Sequence, residues 1–336
     1  MKRPVILAPN WLGDAVMSLP AIADIRRAVP TATLTVAARP AIAPLFSLVS
    51  GIDETIVLSG RRRPYLRLGA VGFEGFELRG RGLDVALLMP NSLHSAIVVA
   101  RAGIPERWGY RANWRGRLLT RTVVRPSGLH QVEYYQHLVR CLGFPGRPEE
   151  PRLSVSEEAR SSGVRALVAA GWDGKQPIVA LAPGAAYGGA KRWPPASFAQ
   201  LADTLLSDGV RSVLVGALPD SASGKAVQGA VSRSTKPLNV VGRTDLPTLA
   251  GVLAACRALI TNDSGAMHLA AAIGTPVTAL FGPTDEQATR PVGYEHVVLS
   301  HPVWCRPCLL RECPLDHLCM TGLSVARVAV AARRSL

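Results

Sequence analysis

Short apolar runs alternate with stretches of helical periodicity along the whole chain, and the alternation starts afresh near the middle. Val5–Pro9, Thr33–Ala38, Thr55–Leu58, Leu83–Met89 and Arg107–Tyr110 predict strands in the first half. Ile178–Pro183, Ser212–Ala217, Leu238–Gly242, Ala258–Asn262, Val277–Gly282 and Val297–Ser300 predict them in the second. Many are apolar throughout, as strands covered on both faces are. Helical patterns fit between them, at Asp14–Ala28, Leu129–Leu142, Pro195–Ser207 and Leu246–Cys256. In the first, Ala15, Leu19, Ile22 and Ile25 recur at helical spacing, and Pro20 within the pattern predicts a kink. Such alternation builds a parallel sheet with helices on both faces, so the fold class is α/β. The Pro- and Gly-rich stretch Gly143–Pro151 separates the halves, and 336 residues suit two domains of ~100–200 each. The expected architecture is two doubly wound, Rossmann-like domains, 1–150 and 151–320, facing each other across a cleft, with a C-terminal helix in 321–336. Ligands of such sheets bind beyond the carboxyl ends of the strands. That directs attention to the turns after Pro9, Pro183, Asn262 and Gly282.

Composition narrows the partners. With 48% hydrophobic residues the chain has material for real cores, which excludes a mainly disordered protein. The net charge is +14, and only 5 of the 38 basic residues are Lys. A surface this rich in Arg favours phosphates or an anionic membrane face. A nucleic-acid binder is the competing class, but the chain has only 18 aromatic residues and no recognisable RNA or DNA motif. Between Arg61 and Arg125 there are 13 Arg against four acids, a local +9. Arg61, Arg62 and Arg63 open a Gly-rich stretch, to about Gly82, that reads either as a functional loop or as solvated surface. The apolar run after Met1-Lys2-Arg3 is too short for a signal peptide, and no segment is long and apolar enough to span a bilayer. The expectation is a cytoplasmic protein whose membrane contact is peripheral.

The standard cofactor fingerprints are missing: no G-x-G-x-x-G follows a strand, and neither a P-loop nor a G-x-S-x-G elbow is present. The turns carry other chemistry. Asn10-Trp11-Leu12-Gly13-Asp14 follows a strand and opens a helix. Asp14 there is either an N-cap or a general base for a hydroxyl nucleophile. Pro183 to Pro194 holds Gly184 and Ala185, whose backbone could approach a ligand, and the cations Lys191 and Arg192, a pairing suited to a diphosphate. In Thr261 to His268, Asp263 could accept hydrogen bonds from sugar hydroxyls, and Ser264 and Gly265 offer N–H groups at a helix N-terminus. His268 reads equally as a packed imidazole or a site residue. Phe281-Gly282-Pro283-Thr284 would close the rim.

These segments resemble the lipopolysaccharide heptosyltransferase family of glycosyltransferases. The resemblance spans essentially the whole chain and rests on Asn10–Asp14, Pro183–Pro194, Thr261–His268 and Phe281–Thr284. A cysteine-rich tail, Cys305 to Met320, fits one branch of the family. The resemblance implies a GT-B glycosyltransferase fold, with acceptor binding in the first domain and ADP-heptose binding in the second. It implies inverting transfer of heptose from ADP-L-glycero-D-manno-heptose to the inner-core heptose of lipopolysaccharide, on a heptosyl-Kdo2-lipid A acceptor, with no cofactor required. Asp14 matches the family's base, Lys191 its phosphate-binding lysine and Asp263 its donor-sugar aspartate. Asp220 and Thr244 lie in turns where adenosine contacts would fall, and Arg61–Arg63 are acceptor-binding candidates. The chemistry agrees: displacement at an anomeric carbon needs a base at the acceptor hydroxyl and positive charge on the departing diphosphate. Another nucleotide-sugar glycosyltransferase or a heptosyltransferase I-type enzyme on the same fold, or more remotely a sugar-nucleotide epimerase, is the alternative reading. The expected surface partner is the anionic inner face of the inner membrane.

Four of the six cysteines, Cys305, Cys308, Cys313 and Cys319, crowd into fifteen residues. Their spacing resembles that of zinc ligands, with His317 as a substitute. A set of reduced thiols packed in a loop is the equal alternative. Either way the cluster reads as structural.

Overall fold

The computed structural model describes residues 1–59, 74–293 and 295–336, so Arg61, Arg62 and Arg63 lie outside the described residues. The chain divides into two compact units, Met1–Arg152 and Leu153–Leu336.

The first unit is built on a sheet of six parallel strands: β1 (Pro4–Leu7), β2 (Thr35–Ala38), β3 (Glu54–Val57), β4 (Val85–Leu88), β5 (Glu106–Tyr110) and β6 (Arg121–Val123). Their order is β3-β2-β1-β4-β5-β6. Central β1 pairs with β2 on one side and β4 on the other, Val5 standing opposite Thr35 and Ala86. The apolar runs are where a sheet covered on both faces requires them: every residue of β1, β2 and β4 is buried. β6 escaped the sequence reading because it is a three-residue edge strand with two exposed polar residues and no apolar run.

One long kinked helix was expected over Asp14–Ala28; there are two, Leu12–Met17 and Leu19–Ala28, meeting at Ser18. Pro20 falls in the first turn of the second helix, where its missing N–H satisfies nothing that the helix needs. Ser18 bridges the break, its N–H bonded to the Asp14 carbonyl and its hydroxyl to the Ala15 carbonyl at 2.8 Å.

The second unit repeats the plan with β7 (Ile178–Ala182), β8 (Arg211–Leu214), β9 (Leu238–Asn239), β10 (Leu259–Asn262), β11 (Val277–Phe281) and β12 (Val297–Ser300). All pairings are parallel, in the order β12-β11-β10-β7-β8-β9. Read from the other edge, this is the strand order of the first unit. In both, the chain reverses its direction of travel beside the first strand of the unit, between β1 and β4 and between β7 and β10. A doubly wound sheet opens its ligand crevice at that point. The helix Val325–Arg333 is not a separate piece: Val328, Ala331 and Ala332 are buried in the second unit's core, beside the helix Pro195–Ser207. Trp193, 1% exposed, anchors this core, edge-on to Phe198 and donating its indole N–H to the Leu323 carbonyl at 2.9 Å.

Candidate active site

In the second unit the turn after β7 and the turn after β10 meet at the switch point. Asn262, fully buried at the end of β10, ties them together. Its amide donates to the Pro183 carbonyl at 3.0 Å, and its oxygen accepts the Trp193 N–H at 3.0 Å. The loop 183–193 is thus clamped at both ends by one side chain. Within it, Lys191 reaches Asp263 at 2.5 Å. Asp263 is 6% exposed and also accepts the Thr284 hydroxyl at 2.7 Å. A lysine and a threonine from two other turns therefore converge on the Asp263 carboxylate.

Around this pair the other expected residues take distinct places. Ala185 is buried, and its carbonyl accepts a long hydrogen bond, 3.4 Å, from Arg192. Gly184 packs against the Asp220 carboxyl, leaving no room for a Cβ, so any larger residue would push the turn apart. Asp220 also accepts the Ala217 N–H at 3.0 Å, which fixes it in the turn after β8. Thr244 is half-buried in the turn after β9. Ser264 precedes the helix Gly265–Ala272 and makes no side-chain cap; its hydroxyl lies 3.0 Å from that of Thr261. His268, one turn along, is 5% exposed, as buried as Asp263.

Sequence reasoning missed Tyr187 and Arg311. The Tyr187 ring lies 4.8 Å from Lys191 Nζ and 5.3 Å from the Arg311 guanidinium, so it holds two cations against its π faces. Its hydroxyl donates to the Leu309 carbonyl at 2.7 Å. The cysteine-rich tail is docked onto the Lys191 loop at further points. Glu312 accepts the Gly189 N–H at 3.0 Å, and the Arg311 carbonyl accepts the Ala190 N–H at 2.9 Å. A Cβ on Gly188 would run into that carbonyl. On the other side, the Leu309 N–H bonds the Pro283 carbonyl and Arg306 bonds the carbonyls of Gly282 and Thr284. The tail therefore braces two of the three turns, those of Lys191 and Thr284.

Cys305, Cys308, Cys313 and Cys319 all line one apolar cavity of about 20 Å³, together with Ala190, Pro283, Leu315 and Leu318. All are free thiols, and burial, reinforced by the three neighbouring thiols, pushes Cys319 above its ordinary pKa. Among the described residues no three His, Cys, Asp or Glu side chains are arranged to hold a metal ion.

In the first unit, Asp14 is not an N-cap. The helix begins at Leu12, its N-cap is Trp11, and Asp14 is the third helical residue. The Tyr135 hydroxyl, from the helix Gln131–Cys141, donates to Asp14 Oδ1 at 3.4 Å. Burial, with the Asp14 charge beside it, holds the Tyr135 phenol well above its ordinary pKa, so Tyr135 stays a protonated donor. Asp14 thus stands at the turn after β1, on the edge of the first unit's switch point, oriented by a tyrosine.

Comparison with known proteins agrees with this geometry. The chain is 32% identical over 306 residues to lipopolysaccharide heptosyltransferase 2 of Escherichia coli K12, covering 88% of this chain and 87% of that one. It is 31% identical over 308 residues to the Salmonella typhimurium protein of the same name, with the same coverage. The solved structure of E. coli ADP-heptose LPS heptosyltransferase II superposes with a TM-score of 0.85 at 29% identity, over 100% of this chain and 98% of that one. Both units thus follow the two-domain GT-B plan. The profile of glycosyltransferase family 9 (heptosyltransferase) matches residues 75–319, and the chain is a member of that family and a glycosyltransferase.

Proposed function

We propose that this enzyme transfers heptose from ADP-heptose to the heptose already present on the lipopolysaccharide inner core, the second heptose addition. The names of its relatives support the substrate class. The observation that carries the reading is the Lys191–Asp263–Thr284 convergence at the second unit's switch point. It offers a cation for a diphosphate beside a carboxylate that can only accept, which suits sugar hydroxyls.

In this reading the acceptor hydroxyl gives its proton to Asp14 as its oxygen attacks the anomeric carbon. The bond from that carbon to the diphosphate oxygen breaks, ADP leaves, and the configuration inverts. Lys191, Arg192 and the backbone N–H groups of Ser264 and Gly265 would stabilise the charge gathering on the leaving diphosphate. Asp263 would hold the heptose, and Asp220 would accept from the ribose. The four tail thiols are a soft donor set of the kind zinc takes. Among the described residues no three of them are arranged to hold an ion, and in this reading the tail's part is to brace the loop. We further propose that the enzyme works at the cytoplasmic face of the inner membrane. No helix among the described residues is long and apolar enough to cross a bilayer, so contact would be peripheral.

The test is incubation with ADP-heptose and a singly heptosylated inner-core acceptor, read by mass spectrometry. A gain of one heptose with release of ADP is expected. Release of ADP with no glycosylated product, or a rearranged sugar nucleotide in the absence of acceptor, would overturn the reading.

A further inference from the structure

The turn after β5 holds a tryptophan out into solvent. Trp114 is 95% exposed. It and Asn113 both adopt left-handed backbone conformations, with φ of 63° and 46°, which asparagine tolerates and a bulky tryptophan avoids. The turn is nevertheless firmly fixed. The next residue, Arg115, is fully buried, and its guanidinium donates to the Tyr110 carbonyl at 2.9 Å, to the Pro90 carbonyl and to Asn91 Oδ1 at 3.2 Å. Asn113 donates to the Asn91 carbonyl at 3.0 Å. Burial pulls Arg115 down to about 10, so it remains charged at neutral pH. A buried, fully engaged cation thus locks a strained turn whose product is one exposed indole.

The neighbourhood of that indole is basic and apolar together. The segment 111–125 contains five Arg and no acid. Arg111, Arg117, Arg121 and Arg125 are exposed. Val124, directly after β6, is 80% exposed. Since β5 and β6 are parallel neighbours, Trp114 and Val124 leave the sheet at the same, carboxyl-terminal end. Glu106, the acid nearest in sequence, is held by the Trp108 indole N–H at 2.8 Å and the Thr120 hydroxyl at 2.7 Å.

We propose that this segment is the enzyme's seat on an anionic bilayer surface. Trp114 and Val124 enter the headgroup boundary, and Arg111, Arg117 and Arg125 contact the phosphates. An aromatic ring with a polar edge belongs at that boundary, and cations near it gain from the surface potential. The inference rests on the reading that the acceptor is membrane-borne, and deepens it by naming the contact.

The test is sedimentation of the full-length protein with vesicles of phosphatidylglycerol and phosphatidylcholine, against phosphatidylcholine alone, at low salt. Wild type is expected to partition onto the anionic vesicles only. Each of Arg117→Ala and Arg125→Ala should lower the partition coefficient ~5-fold. Trp114→Ala should lower it several-fold, with Trp114→Phe retaining part. ADP binding, measured in parallel, should be unchanged in every variant, which excludes misfolding. If these variants partition like wild type, or wild type ignores anionic vesicles, the proposal is overturned. Normal partitioning of Trp114→Ala with a raised KM for a soluble, deacylated acceptor would overturn it too, in favour of a saccharide contact. Transfer to that soluble acceptor separately tests the proposed reaction and is independent of the vesicle result.

Discussion

Lys191 and Asp263 stand 72 positions apart in sequence and meet at 2.5 Å because the strand order folds their two turns together. In this pair each charge shields the other, so removing one partner does more than delete a contact. Lys191→Ala would leave a buried carboxylate facing the diphosphate. It should weaken ADP and ADP-heptose alike, by ~10–100-fold if a charged hydrogen bond is lost. Asp263→Ala releases Lys191 toward phosphate. ADP affinity should then hold or rise while ADP-heptose affinity falls; calorimetry with both ligands reads the difference, and equal losses would contradict a sugar role. For Asp14, the amide of Asp14→Asn cannot accept a proton. Turnover should fall by about 10²–10⁴-fold with ADP-heptose binding intact. Wild-type rates in that variant would remove Asp14 from the mechanism.

At the scale of elements, the sequence pattern was readable where burial is strict. Pro195–Ser207 begins and ends where its periodicity does, and β4, β7, β10 and β11 lie within their apolar runs, while β1 starts one residue before its own. It misled where local chemistry outweighs periodicity. The expected helix Asp14–Ala28 breaks at Ser18, and an earlier start at Leu12 moves Asp14 from cap to first turn. The candidate donor residues were legible because each sits in a turn after a buried strand. Arg311 and Tyr135 were not, and neither was the Tyr187 bond to the Leu309 carbonyl, since these contacts join segments more than a hundred residues apart and carry no local signature. The docked tail yields its own prediction. Gly188→Ala would drive a methyl into the Arg311 carbonyl, an overpacking that typically costs about 1–3 kcal/mol. The tail must shift, and ADP affinity should fall although Gly188 offers no side chain to a ligand. A thermal melt and ADP titration on the same variant check this; lost stability with unchanged ADP affinity would show that the tail braces the fold and not the site.

For the molecule as a whole, the charge is the dominant property: +14 overall, with +9 of it between Arg61 and Arg125. Two parts of that span have different proposed partners, and the partners can be separated. If Arg61, Arg62 and Arg63 hold phosphates and carboxylates of the acceptor's sugar core, replacing all three by Ala should raise the acceptor KM whether the acceptor is soluble or embedded in vesicles. If Arg117 and Arg125 hold lipid headgroups, their replacement should raise the apparent KM only for the embedded acceptor. ADP affinity should be untouched by either set, because the donor residues belong to the other unit. Salt should imitate both, since exposed charges are screened over ~8–10 Å at physiological ionic strength. A soluble acceptor stripped of phosphate provides the control: it should be insensitive both to salt and to the Arg61–Arg63 substitutions. A normal KM on both acceptors at low salt in the triple variant would make the Arg61–Arg63 run a solvated surface. The acceptor's anionic groups would then have to be met elsewhere on the first unit, with Arg101 to Arg125 the next arginines to replace.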